Sequence, residues 1–235
     1  MKPTVSLSRY IALIALWIIF QTAGTPAFAQ PSLVEREEES LTSMTLKAGP
    51  IRSDIYSFQR DELNDVRITP QSGMSAGLSL CLGISRVFAI QPEILYSIKG
   101  AQVRQLRGTT SQNLYDLRLS YLEIPILIKF VAPIGKAVRG NLYFGPFGAV
   151  NIENTSRLYR VIPGTNTVIS SEEPTEFNND FIPFDAGGIL GGGVSVRMLG
   201  TEMMFDARIS LSAVPLTDGD EVMNRTFSLM LGITF

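Results

Sequence analysis

The sequence predicts an all-β protein: an eight-stranded antiparallel up-and-down transmembrane β-barrel, preceded by a cleaved signal peptide. Three observations carry that reading. Apolar residues recur with a period of two in segment after segment, which is the signature of a strand with one apolar face. The segments are joined by connections that alternate between long and short, as in barrels with short turns at one end and long loops at the other. The chain opens with a short apolar run behind a basic start.

That opening comes first in chain order. Lys2 and Arg9 precede an uninterrupted apolar run from Tyr10 to Phe20, and Ala27-Phe28-Ala29 follows a polar stretch. A basic start, a short apolar core and an A-x-A site describe a secretory signal peptide. The run falls well short of the roughly 20 residues of a spanning helix. Residues 1–29 are therefore expected to be removed, 30–43 to form a periplasmic leader, and 44–235 to form the barrel. Removing Lys2 and Arg9 leaves 18 basic residues against 22 acidic ones, a net charge of −4. The leader contains Glu35-Arg36-Glu37-Glu38-Glu39 and reads as a solvated segment.

The eight strands are placed at about 44–51, 74–84, 88–103, 117–131, 141–156, 181–198, 202–214 and 225–235. The first is weakly patterned. The second carries Leu78, Leu80, Leu82 and Ile84 on one face, and the third Phe88, Ile90, Ile94, Tyr96 and Ile98. In the fourth, Leu122, Ile124, Ile126, Ile128 and Phe130 alternate with Tyr121, Glu123, Pro125, Leu127 and Lys129. The fifth is apolar on both faces. The sixth carries Ile182, Phe184, Ala186, Leu190, Val194 and Val196, and the seventh Met203, Phe205, Ala207, Ile209 and Leu211. The last alternates Phe227, Leu229, Leu231, Ile233 and Phe235 with Thr226, Ser228, Met230, Gly232 and Thr234. Loops 52–73, 104–116, 157–180 and 215–224 are expected at the exterior, with shorter connections at the other end.

A soluble eight-stranded barrel, apolar within and polar without, shares this alternation. Several strands exceed the 9–11 residues that a tilted crossing of hydrocarbon requires. The apolar rows carry almost no charge. Aromatics gather near strand ends, Phe88, Phe130, Phe144, Phe205 and Phe235 at one and Tyr96, Phe184 and Phe227 at the other, where such rings suit the membrane interface. These features select the membrane form.

Composition excludes several chemistries. With no His and one Cys, the chain has no Ser-His-Asp or Cys-His triad, no His-bearing zinc site and no internal disulfide. Its slightly acidic balance argues against nucleic acid as a partner, and no cofactor is implied.

The string Phe88-Ala89-Ile90-Gln91-Pro92-Glu93-Ile94-Leu95-Tyr96-Ser97-Ile98-Lys99-Gly100, followed by Tyr121-Leu122-Glu123-Ile124-Pro125-Ile126-Leu127-Ile128-Lys129, resembles the PorT-type outer-membrane β-barrel family of Bacteroidetes and related bacteria. Asn141-Leu142-Tyr143-Phe144-Gly145-Pro146-Phe147-Gly148 and the C-terminal Ser228–Phe235 extend the likeness over roughly 44–235. The resemblance implies the bacterial outer membrane as location. Its founding member assists protein secretion and gliding, while most members have no assigned activity. The chain departs from the family in the long 157–180 segment and in Thr45–Pro50, which lacks the usual Asn-rich continuation.

If the apolar rows face lipid, the alternate positions face the lumen and bring ten charges there: Lys47, Glu93, Lys99, Glu123, Lys129, Asp185, Arg197, Glu202, Asp206 and Arg208. Five are basic and five acidic. Enclosed charges must be paired or hydrated, so a balanced set predicts an internal ion-pair network. Eight strands also enclose a space that side chains can fill. The expected function is a non-enzymatic outer-membrane barrel with a filled lumen, displaying its loops for binding or envelope structure. The alternatives are an accessory of protein secretion across the outer membrane and, third, an outer-membrane hydrolase built on a carboxylate pair. Expected partners are outer-membrane lipid, the barrel-assembly machinery during biogenesis, and envelope or secretion proteins. Phe227, Leu229, Leu231, Ile233 and Phe235 are expected to close the barrel during assembly. The run Gly187-Gly188-Ile189-Leu190-Gly191-Gly192-Gly193 lacks the following helix that a phosphate loop needs, and its glycines are expected to allow bending and close packing.

Overall fold

A computed structural model of the protein describes residues 42–57, 66–105, 112–135, 137–162, 167–171, 182–198, 200–216 and 222–235. The expected signal peptide 1–29 and all but the end of the leader lie outside these residues. Period-two patterning yields strands throughout: β1 Thr42–Ser57, β2 Val66–Gly83, β3 Phe88–Gln105, β4 Gln112–Pro133, β5 Val138–Val161, β6 Val168–Ser171, β7 Phe184–Met198, β8 Thr201–Ser212 and β9 Val222–Thr234. Eight of them close into an antiparallel barrel. Each neighbour in the chain pairs with the next, β5 pairs with both β4 and β7, and β9 returns to β1. The short β6 pairs with the end of β5 alone.

Closure of the eight barrel strands leaves no edge among them, the condition for crossing hydrocarbon with strands. The seam is made by β1 and β9, with Leu46 opposite Ile233 and Ser57 opposite Val222. Phe235 adds a reciprocal pair of backbone hydrogen bonds with Met44, at 2.8 and 3.3 Å. Tight turns join β2 to β3 and β4 to β5, where Ile84 N donates to Phe88 O at 2.9 Å and Ile134 N to Val138 O at 3.0 Å. Between β7 and β8 the chain turns at Gly200, whose φ of +82° lies in the left-handed region that favours glycine. Thr42 and Thr234 lie at this same short-turn end.

The faces are inverted relative to a soluble protein. Leu46, Ile94, Ile124, Leu142, Leu190 and Leu231 are exposed, whereas Lys47, Glu93, Lys99, Asp185, Asp206 and Arg208 are buried. A continuous apolar exterior around a charged interior suits lipid and would be an aggregation surface in water, so the soluble barrel with an apolar lumen is excluded. At the short-turn end Phe88 meets Phe130 edge-on with centroids 5.5 Å apart, and Phe130 stacks on Phe144 at 6.3 Å.

Several boundaries differ from the sequence reading. Segments expected as loops at 52–73, 104–116 and 157–180 contribute the upper parts of β1, β2, β4 and β5, and β6 lies within the third. The β4–β5 ladder runs from Pro133 opposite Arg139 to Gln112 opposite Val161, with one irregularity at Ser120/Tyr121. That is far more than the 9–11 residues needed to cross hydrocarbon, so the sheet stands above the membrane as a wall. Polar residues there alternate too weakly to announce a strand; the backbone of the neighbouring strand recruits them. The expected loop 215–224 is likewise not wholly displayed, because Leu216 is buried in the barrel's apolar cluster. Its backbone is held by Ile182 N and by Val222 O, each at 2.8 Å.

The glycines of β7 let aromatic rings lie flat against its inner face. A Cβ on Gly191 would stand 2.4 Å from a ring carbon of Tyr143, while one on Gly188 would meet nothing within 4 Å. Gly191→Val should therefore destabilise the barrel by about 1–3 kcal/mol through overpacking, and Gly188→Ala should be close to neutral. Denaturant midpoints of the two variants folded in detergent check this; equal midpoints would show that Tyr143 moves aside freely.

Candidate functional site

Alternation of inward and outward positions along β1, β3, β4, β7 and β8 brings eight of the ten expected charges into the enclosed lumen, seven of them in two groups. In the first, Lys47 Nζ lies 2.5 Å from Glu93 Oε1 and 3.8 Å from Asp206 Oδ2. Arg208 donates from Nη1 to Glu93 Oε2 at 2.8 Å and from Nη2 to Asp206 Oδ2 at 2.5 Å. Gln91 Nε2 adds a hydrogen bond to Glu93 Oε1 at 2.6 Å. The Arg208 guanidinium also sits 5.1 Å from the centroid of the Tyr143 ring, within cation–π range. Two cations and two anions balance, and Arg208 on β8 reaches Glu93 on β3 across the barrel. Because the partners come from opposite walls, this group acts as an internal tie as well as a filling.

The second group is acidic by one charge. Lys99 Nζ lies 2.5 Å from Glu123 Oε1 and 3.7 Å from Asp185 Oδ2. Ser97 Oγ donates to Glu123 Oε2 at 3.2 Å. Ser212 Oγ and Asn224 Nδ2 donate to Asp185 Oδ2 at 2.9 and 3.4 Å. The ammonium stands 5.1 and 5.2 Å from the ring centroids of Tyr121 and Phe147. Neutral donors around the second carboxylate and two aromatic faces around the cation offset the desolvation that a bare charge would suffer here.

Lys129 is buried on the same inward row, opposite Ala89 and Tyr143, and among the described residues no ion pair joins it to either group. Two expected lumen charges are corrected. Arg197 has the inward register but is exposed at the short-turn rim, because the lumen is open to water by that level. Glu202 is half-buried at the same rim and pairs with Arg139, a residue the sequence reading did not single out.

The reading by charge also passed over the apolar half of the lumen. Leu119, Tyr121, Leu127, Tyr143, Phe147, Ala149, Ile189 and Leu216 form one buried cluster. The signal was present in β5, whose two apolar faces require that one of them point inward. Among the described residues, a cavity between Glu123, Lys99, Arg208 and the surrounding serines measures about 20 Å³, room for a water molecule and not for an organic ligand. No group of three or more Cys, Asp or Glu side chains among the described residues is placed to hold a metal ion.

The C-terminal strand β9 presents Phe227, Leu229, Leu231, Ile233 and Phe235 outward, all exposed. Asn224, Thr226, Ser228 and Met230 are buried on its inner face.

The chain matches a family model described as outer membrane protein beta-barrel domain over residues 28–216. Solved structures of similar architecture include the attachment invasion locus protein Ail of Yersinia pestis, 12% identical, covering 83% of this chain and 99% of that one with a TM-score of 0.41. OprG of Pseudomonas aeruginosa is 12% identical and covers 82% and 94%, with a TM-score of 0.42. Neisserial surface protein A is 12% identical and covers 81% and 95%, with a TM-score of 0.39. No curated relative matches the sequence.

Proposed function

The chain belongs to the outer membrane protein beta-barrel domain family and resides in the bacterial outer membrane, and on that premise we propose that it is a non-enzymatic barrel with a closed, side-chain-filled lumen. Its activity would then lie on its outward surfaces and on the wall and loops above the membrane. Within the family we place it in the PorT-type branch, on the strings at 88–100 and 121–129. The observation that carries the filled-lumen reading is the pair of ion-pair groups spanning the barrel beside an aromatic cluster, with a cavity of about 20 Å³ among them. Solute passage would require breaking buried ion pairs and moving Tyr121, Tyr143 and Phe147 together. Outer-membrane lipid and the barrel-assembly machinery are its proposed partners.

Purified protein in planar bilayers should accordingly show no large steady conductance. Stable channels of sizeable conductance would overturn the filled lumen. Neutralising rim residues such as Arg197 should leave the baseline equally silent, since they lie outside the plug.

A further inference from the structure

We infer that the barrel deforms the bilayer around it, holding the hydrocarbon thinnest along the seam of β9 and β1 and thickest along β5 and β7. The outward apolar rows differ in length from strand to strand. On β7 every outward position from Phe184 to Met198 is apolar or glycine, and on β5 every one from Val138 to Val150. At about 3.3 Å per residue and a tilt near 45°, these rows stand about 33 and 28 Å tall. On β9 the row runs only from Phe227 to Phe235 and on β1 from Met44 to Pro50, about 19 and 14 Å by the same measure. The usual apolar band of such barrels, about 25 Å, lies between the two sides.

Tilting the barrel would absorb a mere offset in height, but the long rows exceed the short ones at both ends. Following paired residues once round the barrel from Thr42 returns to β1 at Arg52, ten residues higher. Spread over eight strands, that stagger sets Val150 of β5 level with Arg225 of β9, and Ala186 of β7 level with Arg52 of β1. Where the seam turns to charge, the wall of β5 and β7 is therefore still apolar, and Phe184 lies higher again. At the short-turn end Met198 reaches about two to three residues beyond the level of Phe235. The charge above the seam is held in place, since Asp54 lies opposite Arg225 and accepts from its Nη2 at 2.8 Å. A flat bilayer thick enough to cover Phe184 and Val150, each about half exposed at 51% and 50%, would draw this pair into hydrocarbon, which charges avoid. One thin enough to leave the pair wet would strand those apolar side chains in water. A bilayer whose thickness varies round the barrel satisfies both sides at a modest cost per ångström of mismatch. This inference rests on membrane residence and not on the filled lumen, so conductance and lipid thickness fail separately.

Depth-resolved fluorescence quenching tests it. Trp17 is the chain's one tryptophan, so in a Trp17→Phe background a single introduced tryptophan reports its local lipid. Phe227→Trp and Phe235→Trp mark the two ends of the β9 row, and Phe184→Trp and Met198→Trp those of the β7 row. Each variant is folded into phosphatidylcholine bilayers carrying bromine at a shallow or a deep acyl position, and its heat-modifiable mobility reports folding. Phe227→Trp and Phe184→Trp should show the same ratio of shallow to deep quenching, and so should Phe235→Trp and Met198→Trp. A flat bilayer around an upright barrel would separate both pairs in depth, by about 8 Å at the upper end and about 6 Å at the lower, and would overturn the inference. A tilted barrel in a flat bilayer would bring one pair together and drive the other further apart, which would overturn it equally. Should a β7 variant not fold, Val150→Trp or Val138→Trp, at the corresponding end of the β5 row, takes its place.

Discussion

Leu231→Arg should nearly abolish the folded, heat-modifiable form of the protein, whereas Ser228→Ala should leave it close to the unaltered level. Leu231 is exposed on β9 opposite Ala48 of β1 and Phe205 of β8, in the middle of the outward row that runs from Phe227 to Phe235. A basic side chain on the lipid face near the bilayer midplane costs about 2–4 kcal/mol, and here it falls on the strand that closes the sheet. Until β9 meets β1, two strands leave their N–H and C=O groups unpaired in hydrocarbon. A penalty on β9 therefore acts on assembly as well as on the finished barrel. Ser228 is buried on the inner face, where loss of a hydroxyl removes little. Deleting Phe235 should also reduce the folded fraction, because its backbone bonds with Met44 end the seam. The comparison is read by electrophoresis of heated and unheated samples after refolding into lipid. Normal folding of Leu231→Arg beside failure of Ser228→Ala would reverse the faces assigned to β9.

Glu93→Gln should destabilise the folded barrel by about 3–5 kcal/mol, the cost of leaving buried charge uncompensated. Glu93 accepts from Lys47, Gln91 and Arg208. The amide is nearly the same shape, so no cavity forms and the loss is electrostatic. Two cations would then share Asp206 alone, with Tyr143 as the remaining partner of Arg208. The matched test is Glu202→Gln at the rim, where a partly exposed pair with Arg139 is worth less than about 1 kcal/mol. Denaturant midpoints in detergent distinguish the two. Equal small losses would mean that water reaches the first group freely and that the lumen is hydrated at that level.

How much of this was legible in the chain depends on the range of the interaction. The fold class, the sense of each face and the identity of most inward charges follow from alternation, which is a property of successive Cβ directions and needs no partner strand. The lipid-facing row of β9 and the inward placement of Lys47, Glu93, Lys99 and Asp206 were readable for that reason. Which charge meets which was not. Glu93 binds Arg208 on the far wall because strand tilt and stagger bring those levels together, and neither quantity is written in the pattern of one strand. Arg197 shares the inward register yet is exposed, since register specifies a direction and only the barrel's end specifies where enclosure stops. The upper wall was hidden because polar residues take up a strand when a neighbour offers backbone partners, as the β4–β5 ladder does above Ser120. Leu216 was hidden for the converse reason: an isolated apolar residue in a polar loop has no period, and only the open mouth of the finished barrel gives it somewhere to go.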